Sequence, residues 1–427
     1  MNSEKQSTNL QMILREVNRV GEGKKNVPKL RFKGYEDAWE QRKFIECINN
    51  IVDYRGKTPK KLEMNWSPEG YLALSALNVK DGYIDFELDA NYGDIELYNA
   101  WMKQDLSKGQ VVFTTEAPMG NVAQIPDDSK YILSQRVIAF EVAHEKITDD
   151  FLATLLKSPK VFDDLTSLAT GGTAKGVSQR SLSKLSVKIP QIIEEQNKIA
   201  KIICTLNKAI TLHQRKYDAL KTMKKTLLSK MFPKDGEDVP EIRFKGFTDA
   251  WEQRKLGALV QFVNGRAYKQ EELLDVGKYK VVRVGNFNTN EKWYFSDLEL
   301  ETDKYMDNGD LLYLWATSFG PVIWQGEKAI FHYHIWKLKN FENLDKKYLY
   351  SFLEWDKNKI SQNTNGSTMV HITKNMIEQR DIEYPTKSEQ YRIGSLLESV
   401  DNLITLHQRK LEELKNMKKT LLQQMFV

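Results

Sequence analysis

The sequence predicts an α+β protein with two related globular domains and two long helices. The first observation behind this prediction is an internal duplication, in which the same segments occur twice in the same order. The second is an apolar heptad pattern near the end of each copy, which is typical of a coiled-coil helix. The third is the presence, inside each copy, of short β-branched and aromatic runs separated by Gly, Asn, Asp and Pro, as expected of strands joined by turns.

The duplication is visible as two pairs of matching segments. Residues 27–43 (VPKLRFKGYEDAWEQRK) and 239–255 (VPEIRFKGFTDAWEQRK) share 13 of 17 positions at an offset of 212. Residues 211–232 and 405–426 (TLHQRK…KKTLL…MF) share 16 of 22 positions at an offset of 194. Because the interiors differ in length and share little sequence, we infer one frame that carries two different surfaces. This arrangement indicates one task performed on two targets.

The matching segments also define the domain boundaries. Within the interiors, residues 110–115, 131–142, 278–284 and 310–315 predict strands, and residues 151–169 and 346–360 have helical spacing. We expect a short helix around residues 10–20. The predicted parts are a polar N-terminal tail at 1–26, a first domain at 27–190, a central helix with its linker at 191–238, a second domain at 239–385 and a C-terminal helix at 386–427.

Each long helix carries an apolar seam with alternating steps of four and three residues. The seam residues are Ile199, Ile203, Leu206, Ile210, His213, Tyr217, Leu220 and Leu227 in the first helix, and Ile393, Leu397, Val400, Ile404, His407, Leu411, Leu414 and Leu421 in the second. A helix of about 40 residues is about 60 Å long and cannot bury such a seam alone. We therefore expect the two helices to pair with each other in antiparallel orientation; an independent dimerisation helix is the alternative. His213 and His407 are expected to fix the register.

Composition excludes several classes of protein. Hydrophobic residues make up 41% and aromatic residues 11% of the 427 residues, which indicates a folded chain. No stretch approaches the ~20 consecutive apolar residues of a membrane helix, so no membrane partner is expected. Cys47 and Cys204 match no zinc or redox spacing, which favours a cytoplasmic protein with reduced thiols. The net charge of +5 is compatible with nucleic-acid binding without requiring it.

The sequence contains no complete catalytic motif of the kinds compared below. Gly56-Lys57-Thr58 resembles the end of a phosphate-binding loop, but Ile51 stands where the first glycine is needed. No two prolines are adjacent, as an amino-methyltransferase loop would require, and residues 126–130 (PDDSK) fit a turn better than a nuclease cluster. We therefore expect no catalytic residue, no metal site and no cofactor in this chain.

The remaining motifs are suited to binding nucleic acid. Turn-rich basic loops at 55–61, 171–180 and 264–269 offer cations and backbone N–H groups to phosphates, and Asn, Gln and Arg side chains can form paired hydrogen bonds with base edges. The candidate DNA-binding residues are Arg55, Lys57, Thr58, Lys60, Lys61, Asn78, Gln135, Arg136, Gly172, Thr173, Lys175, Ser178, Arg180, Arg266, Tyr268, Lys269, Arg283, Asn286, Asn288, Thr317, Ser318, Ser367 and Thr368.

Together these features resemble the specificity subunit of type I restriction-modification enzymes. The resemblance covers residues 27–427. It rests on the duplicated RFKG…AWEQRK segment, the Gly-Thr and Gly-Ser segments before each helix, a proline followed by Glu-Gln (Glu195-Gln196 and Glu389-Gln390), and the LHQRK…KKTLL helices.

The resemblance implies two target-recognition domains related by a pseudo-twofold axis, each reading one half of a bipartite sequence in double-stranded DNA. The antiparallel helix pair would separate them and set the unread gap. Two modification (methyltransferase) subunits and ATP-dependent restriction (translocase and nuclease) subunits would be the partners. Those partners would use S-adenosylmethionine, ATP and Mg²⁺ to methylate adenine and cleave DNA, while this chain would supply recognition alone.

Two other functions stay open at this point. The first is a DNA-processing enzyme, a nuclease or methyltransferase, whose active site has an unrecognised sequence pattern. The second is an assembly protein whose variable interiors bind other proteins instead of DNA. Turnover by the isolated chain would favour the first, and the absence of salt-sensitive DNA binding would favour the second.

Overall fold

The computed structural model describes residues 12, 14–20, 25–169, 176–234, 236–288, 290–316, 318–341, 343–363 and 372–427. The chain divides into two compact units: unit 1 (Met1–Arg215 and Arg409–Val427) and unit 2 (Lys216–Gln408). Both units contain helices and sheets, which confirms the predicted α+β class.

The helices of the described chain differ greatly in length. They are α1 (Ile95–Trp101), α2 (Asp149–Leu155), α3 (Pro159–Leu168), α4 (Gln179–Lys184), α5 (Ile193–Lys230), α6 (Leu256–Leu259), α7 (Lys346–Asn363), α8 (Lys374–Glu378) and α9 (Lys387–Gln424). The helical spacing predicted at 151–169 belongs to two helices, because Pro159 begins a new helix after the turn at Ser158.

The strands of unit 1 are β1 (Val17–Arg19), β2 (Leu30–Phe32), β3 (Glu40–Lys43), β4 (Ile48–Asp53), β5 (Tyr71–Leu74), β6 (Val79–Lys80), β7 (Tyr83–Ile84), β8 (Tyr92–Gly93), β9 (Val111–Thr114), β10 (Val122–Gln124), β11 (Ile132–Leu133), β12 (Val137–Val142) and β13 (Ser186–Ile189). The central sheet has the order β4-β12-β9-β10 with every pair antiparallel. A second sheet has the order β11-β5-β8, with β11 parallel to β5.

The strands of unit 2 are β14 (Glu252–Lys255), β15 (Gln261–Asn264), β16 (Tyr279–Val282), β17 (Tyr294–Ser296), β18 (Tyr305–Met306), β19 (Leu311–Leu314), β20 (Gly320–Ile323), β21 (Ala329–Phe331), β22 (Ile335–Lys339) and β23 (Asp381–Tyr384). The central sheet has the order β15-β22-β19-β20, again antiparallel throughout. The second sheet has the order β17-β16-β21-β18, with β21 parallel to β16. The interiors therefore share the order of the central sheet and a parallel pair in the second sheet, whereas the second sheets differ in strand number.

Both faces of each central sheet are buried, which explains the continuous apolar runs in its strands. In β9, Val111 and Phe113 face one hydrophobic cluster, which also contains α2 and residues of the long helices. Val112, between them, faces the cluster around the second sheet and α1. In β19, Leu312 likewise faces a different hydrophobic cluster from Leu311 and Tyr313, because successive side chains of a strand point to opposite faces of the sheet.

The duplicated EQRK segments close each interior. Strand β3 pairs antiparallel with β13, the strand immediately before α5. In unit 2, β14 pairs in the same way with β23, immediately before α9. The beginning and end of each interior therefore meet in a two-stranded sheet beside a long helix.

A buried ion pair joins each duplicated RFKG segment to the first turn of a long helix. Arg31 donates from Nε and Nη2 to the carboxylate of Glu195 at 2.7 and 2.9 Å. Arg243 binds Glu389 in the same bidentate way, at 2.8 and 2.9 Å. Bidentate geometry and burial make these strong contacts, so the Arg and Glu of the sequence pattern form part of the frame.

The glutamine after each of these glutamates is also structural. The Gln196 amide donates to the carbonyls of Lys146 and Pro190 and accepts from the Thr148 N–H. The Gln390 amide has three equivalent bonds, to Asn343, Pro385 and Asp345. Both glutamines are fully buried. Gln196 holds Thr148, which caps α2, and Gln390 holds Asp345, which caps α7.

The duplicated tryptophans contact the ends of the long helices. The Trp39 ring lies edge-on to Phe426, just after α9, with ring centroids 5.9 Å apart. The Trp251 ring lies edge-on to Phe232, just after α5, at 6.4 Å. Each tryptophan therefore packs on the helix that belongs to the other copy of the duplication.

Helices α5 and α9 each contribute to both units. The first part of α5 and the last part of α9 share the core of unit 1, whereas Leu228 and Met231 of α5 pack with Ile393 and Leu397 of α9 in unit 2. This is the arrangement expected of an antiparallel pair. Every residue of the predicted seam is buried or half-buried, and the middle seam residues of α5 are only half-buried, namely Ile210, His213, Tyr217 and Leu220.

The short helix expected around residues 10–20 is confirmed only in part, because Met12 and Leu14 are helical and the later residues are not. Val17–Arg19 forms strand β1, which pairs antiparallel with β2 of the first RFKG segment. Leu14 and Val17 pack against the core of unit 1. Strand β1 forms because the RFKG segment offers both a free backbone edge and apolar surface; residues 1–11, 13 and 21–24 lie outside the described part of the chain.

Candidate nucleic-acid interface

Four loops of unit 1 meet at one end of the central sheet. The first loop follows β4 (Asp53 to Arg55), and the second follows β9 (Thr115 and Glu116). The third precedes β12 (Gln135 and Arg136), and the fourth leads into α4 (176–179). The first, second and fourth of these loops line an open groove of about 570 Å³, with Asp53, Arg55, Thr115, Glu116 and Gly176 to Gln179 as its lining residues. We call this set, with Gln135 and Arg136, the unit 1 cluster.

An ion pair organises one side of this cluster. Arg55 donates from Nη2 to Asp53 Oδ2 at 2.6 Å and from Nε to both carboxylate oxygens. Gln179 adds a bond to Asp53 at 3.0 Å, and Arg55 Nη1 donates to the Val177 carbonyl at 3.2 Å. Partial burial alone would raise the pKa of Asp53, but the bonds from Arg55 and Gln179 hold that pKa below its ordinary value. Asp53 therefore stays ionised, and Arg55 is fixed in place.

The second ion pair of the cluster is exposed. Arg136 Nε lies 3.2 Å from Glu116 Oε1, with the two side chains 51% and 44% exposed. Arg136 has a φ of +66°, a conformation that favours Gly and Asn. Its carbonyl accepts bonds from both the backbone N–H and the hydroxyl of Thr115. The backbone is thus locked while the charged group faces solvent.

Backbone hydrogen bonds identify the equivalent loops of unit 2. The Thr115 N–H donates to Arg136, as the Trp315 N–H donates to His334. The Val177 N–H donates to Thr115, as the Ile372 N–H donates to Trp315. Ser134-Gln135-Arg136 therefore corresponds to His332-Tyr333-His334. The unit 2 cluster comprises Trp315, Ala316, His332, Tyr333 and His334, with residues 264–266 and 372–374 beside it.

The unit 2 cluster is aromatic instead of ionic. The Trp315 indole N–H donates to the Tyr333 carbonyl at 2.8 Å, and its ring lies edge-on to the His334 ring with centroids 4.8 Å apart. The His332 and His334 rings are also 4.8 Å apart. Burial, followed by the charges of His334 and Arg283, lowers the pKa of His332 to about 4. His332 is therefore neutral at physiological pH.

Two arginines lie near the unit 2 cluster. Arg266 donates to both oxygens of Glu272, at 2.7 and 2.9 Å, and its guanidinium lies over the Tyr268 ring. The Arg283 guanidinium lies 4.3 Å from the centre of the Tyr294 ring. Its Nε and the Tyr268 hydroxyl are buried without a hydrogen-bond partner among the described residues.

Several candidate DNA-binding residues have structural roles instead. Asn78 is fully buried and bonds the Ser75 N–H and the Ala73 carbonyl. Asn286 accepts from the Arg283 N–H in the equivalent turn, and Asn288 donates weakly to the Val284 carbonyl. Short polar side chains that satisfy turn backbone have no hydrogen-bonding edge left for a base. We therefore assign Asn78 and Asn286 to turn formation, whereas the exposed Asn288, with a single bond of 3.5 Å, stays a candidate for base contact.

The basic loop at 55–61 is also largely occupied by its own contacts. Lys57 donates to the Trp101 carbonyl at 2.6 Å, and burial followed by the nearby charge of Lys103 lowers its pKa. Thr58 caps a 3₁₀ turn by accepting from the Lys61 N–H, and the Lys61 ammonium donates to the Gly56 carbonyl. Lys60 is exposed.

The remaining candidates fall into two groups. Ser178 caps α4 by accepting from the Ser181 N–H, Arg180 and Lys269 are exposed, and Ser318 is half-buried. Gly172, Thr173, Lys175, Thr317, Ser367 and Thr368 lie outside the described residues.

Sequence reasoning missed Asp53, Glu116, Gln179 and the whole segment His332-Tyr333-His334. A surface that binds phosphates is expected to be basic, so the sequence pattern did not indicate the acidic residues. The unit 2 segment could have been found from its position, since it precedes a buried strand just as Gln135 and Arg136 do.

A second surface lies along the long helices in unit 2. A groove of about 800 Å³ is lined by Lys221, Lys225, Lys234 and Trp355, among others. At its floor, Lys224 contacts Glu354 and Asp401, each at 2.6 Å. Its exposed rim is basic and suits an acidic partner surface or a phosphate backbone.

In the described part of the chain, no group of His, Cys, Asp and Glu side chains is arranged to hold a metal ion. None of the described helices combines the length and apolarity needed to cross a membrane.

Comparisons with known proteins agree with this geometry. A family model for the type I restriction modification DNA specificity domain matches residues 39–222 and 248–416. The type I restriction enzyme MjaVIII specificity subunit of Methanocaldococcus jannaschii is 24% identical over 322 residues, covering 71% of this chain and 75% of that protein. The putative MjaX specificity subunit of the same organism is 23% identical over 420 residues, covering 93% and 95%. A solved S subunit of a type I system from M. genitalium has a TM-score of 0.64 at 16% identity, covering 94% of this chain and 99% of that one.

Proposed function

The chain belongs to the family of type I restriction-modification DNA specificity subunits, whose role is DNA sequence recognition, and we propose that each of its units reads one half of a bipartite target. Specificity subunits are non-catalytic. The observation that carries the proposal is the pair of equivalent loop clusters. The same central-sheet order carries an ionic cluster at the end of the unit 1 sheet and an aromatic cluster at the equivalent end of the unit 2 sheet.

The composition of these clusters favours contact with bases over contact with phosphates. In the unit 1 cluster, Arg55 is balanced by Asp53 and Arg136 by Glu116. A surface without net charge attracts the DNA backbone weakly. Carboxylates and guanidinium groups together do, however, offer both acceptors and donors to base edges in the major groove. Phosphate contacts would come from the surrounding exposed lysines and arginines, such as Lys60 and Arg180.

Helices α5 and α9 would set the distance between the half-sites. Each helix contributes to the cores of both units, so the length of the pair between those cores is fixed by sequence. A continuous helix advances about 1.5 Å per residue and resists bending. We expect the unread gap to follow the number of residues in this pair.

The partners in our proposal are two modification subunits and a set of ATP-dependent restriction subunits. The modification subunits would transfer methyl groups from S-adenosylmethionine to adenine, and the restriction subunits would use ATP and Mg²⁺ to cleave DNA. The duplicated frame would present similar surfaces to two copies of the modification subunit. The basic groove beside Lys221 and Lys225 supports such docking.

Methylation mapping by single-molecule sequencing tests this proposal. A host without other restriction-modification systems would carry this chain together with its modification subunit. We expect methylated adenines in a motif made of two defined segments and a gap of constant length. A continuous motif would contradict the proposal. So would methyl transfer or DNA cleavage by the purified chain alone.

A further inference from the structure

The Arg136–Glu116 pair has features that folding stability does not explain. Both side chains are about half exposed, and their charged atoms are 3.2 Å apart. Exposed ion pairs of this kind contribute little to stability because water and salt screen them. Yet Arg136 occupies a backbone conformation, φ +66°, in which the Cβ atom crowds the backbone and which Gly or Asn adopts more readily. Since Asn or Gly would fit this position with less strain, the arginine side chain itself must serve a purpose.

The surroundings hold that side chain at a defined place. The Arg136 carbonyl is fixed by the N–H and hydroxyl of Thr115, which precedes Glu116. The two charged residues therefore lie on neighbouring loops joined through their backbones. The guanidinium donors and the carboxylate acceptor are presented side by side to solvent at the rim of the groove.

The order of these groups matches one kind of base pair. In the major groove, a G·C pair presents two acceptors on guanine, N7 and O6, followed by a donor on cytosine, N4. O6 and N4 are joined by a hydrogen bond of about 2.9 Å, close to the separation of the Arg136 and Glu116 atoms. An A·T pair presents acceptor, donor and acceptor instead, so a guanidinium beside a carboxylate would form fewer bonds with it and would leave thymine O4 without a donor.

We propose that Arg136 and Glu116 together read one G·C base pair in the half-site of unit 1. The Arg136 guanidinium donates to N7 and O6 of guanine, and the Glu116 carboxylate accepts from N4 of cytosine. This inference rests on the proposed function, because it assumes that unit 1 reads a half-site. Without DNA, the two side chains satisfy each other, which discourages Arg136 from binding phosphates at random.

Unit 2 provides an internal comparison. The residues equivalent to Arg136 and Glu116 are His334 and Ala316, and their neighbours Tyr333 and Trp315 are aromatic. At these two equivalent positions, therefore, a guanidinium faces a carboxylate in unit 1 and an imidazole accompanies an alanine in unit 2. Substitutions at His334 serve as the matched control, because this residue has the same place in the topology and different chemistry.

The experiment measures methyl transfer by the purified complex of this chain with its modification subunits. Duplexes would carry the mapped target or the target with one base pair replaced at a time. For the wild-type complex we expect replacement of one G·C pair by A·T to reduce the rate roughly 10- to 100-fold. Glu116→Gln and Arg136→Gln should remove most of that discrimination at the same position, leaving the other half-site unchanged. His334→Ala should alter the other half-site only.

The variant Arg136→Asn distinguishes a loss of base-pair discrimination from a loss of folding. Asparagine tolerates the positive φ, so this variant should melt at or above the temperature of the wild type and still lose discrimination at the same base pair. The inference is overturned if the half-site read by unit 1 contains no invariant G·C pair, or if the Glu116 and Arg136 variants keep the wild-type preference. Failure of the proposed function would look different, because no bipartite target would then be methylated at all.

Discussion

Arg31 and Glu195 form the most deeply buried of the contacts that join a duplicated segment to a long helix. The Arg31 side chain is 3% exposed and that of Glu195 1% exposed. The equivalent Arg243 in unit 2 is 14% exposed. Removing one member of a buried ion pair leaves the other charge without compensation, which costs about 3–5 kcal/mol.

We therefore expect Glu195→Ala to destabilise unit 1 by about 3–5 kcal/mol. Glu389→Ala should cost less in unit 2, because water can reach Arg243. Hydrogen exchange measured by mass spectrometry would report the loss separately in each unit. The double variant Arg31→Met/Glu195→Leu is the control and should recover much of the stability. An equal loss from both single variants would argue against burial as the cause.

The duplicated lysines Lys224 and Lys418 have different surroundings. Burial alone would lower the pKa of Lys224, but Glu354 and Asp401 raise it. For Lys418 burial dominates and lowers the pKa, since Asp81 is 3.9 Å away and also contacts Lys157. One lysine is thus well compensated and the other poorly.

Lys224→Met should destabilise unit 2 by about 2–4 kcal/mol, because the half-buried carboxylates of Glu354 and Asp401 would lose the cation between them. Lys418→Met should be neutral or slightly stabilising in unit 1, because methionine buries an apolar chain of similar length. The same hydrogen-exchange measurement in each unit distinguishes the two. Loss of stability in both variants would contradict this explanation.

His332 makes unit 2 sensitive to acid. Its pKa is lowered from 6.5 to about 4 in the folded chain, so between these values the unfolded chain binds more protons. Stability must therefore fall as the pH decreases through this window. His332→Gln should flatten the dependence of the unit 2 melting temperature on pH between about 6.5 and 4, while unit 1 serves as the control. An unchanged slope would show that other groups are responsible.

Residues in loops were the hardest to predict from sequence. Asn78 has a side chain suited to a base contact, but its amide forms hydrogen bonds with the backbone of Ser75 and Ala73 in the turn after β5. Glu116 could not be predicted as a site residue, because its role depends on a contact with Arg136, which is twenty positions later in the chain. Local sequence does not reveal such a pairing, since it depends on how the strands between the loops are ordered.

The elements were more predictable because their patterns have a short period. The runs at β9, β12, β16 and β19 were confirmed as strands, since burial on both faces leaves a continuous apolar run. The strand order of the central sheets could not be derived, because it depends on long-range pairing. Strand β1 was missed for the same reason: its partner is the RFKG segment.

The half-buried middle of the helix pair is the place to change its length. One heptad would be inserted into α5 by repeating residues 211–217 and one into α9 by repeating 405–411, which preserves the seam. Seven residues add about 10 Å, the length of about three base pairs at 3.4 Å each. Methylation mapping should show a gap about three base pairs longer and unchanged half-sites.

The control for this experiment is insertion into one helix only. The seam would then be out of register against the ends held in the two cores, so stability and methylation should both decrease. A gap that stays constant after the double insertion would contradict the role of the helices as a spacer.

At the scale of the whole molecule, the duplication joins the two halves of the chain through their helices. Phe426 completes the packing around Trp39, and Phe232 completes that around Trp251. The frame is therefore shared between the copies, whereas the loop clusters belong to one unit each. This division explains why the segments that repeat are structural, and it agrees with our proposal that the segments that differ read DNA.

The most direct test is methylation mapping of two double variants, one in each cluster. Gln135→Ala/Arg136→Ala should change or relax one half-site and leave the other half-site and the gap as in the wild type. Tyr333→Ala/His334→Ala should change only the opposite half-site. If either variant altered both half-sites, or if neither altered any base, the assignment of one half-site to each unit would be wrong.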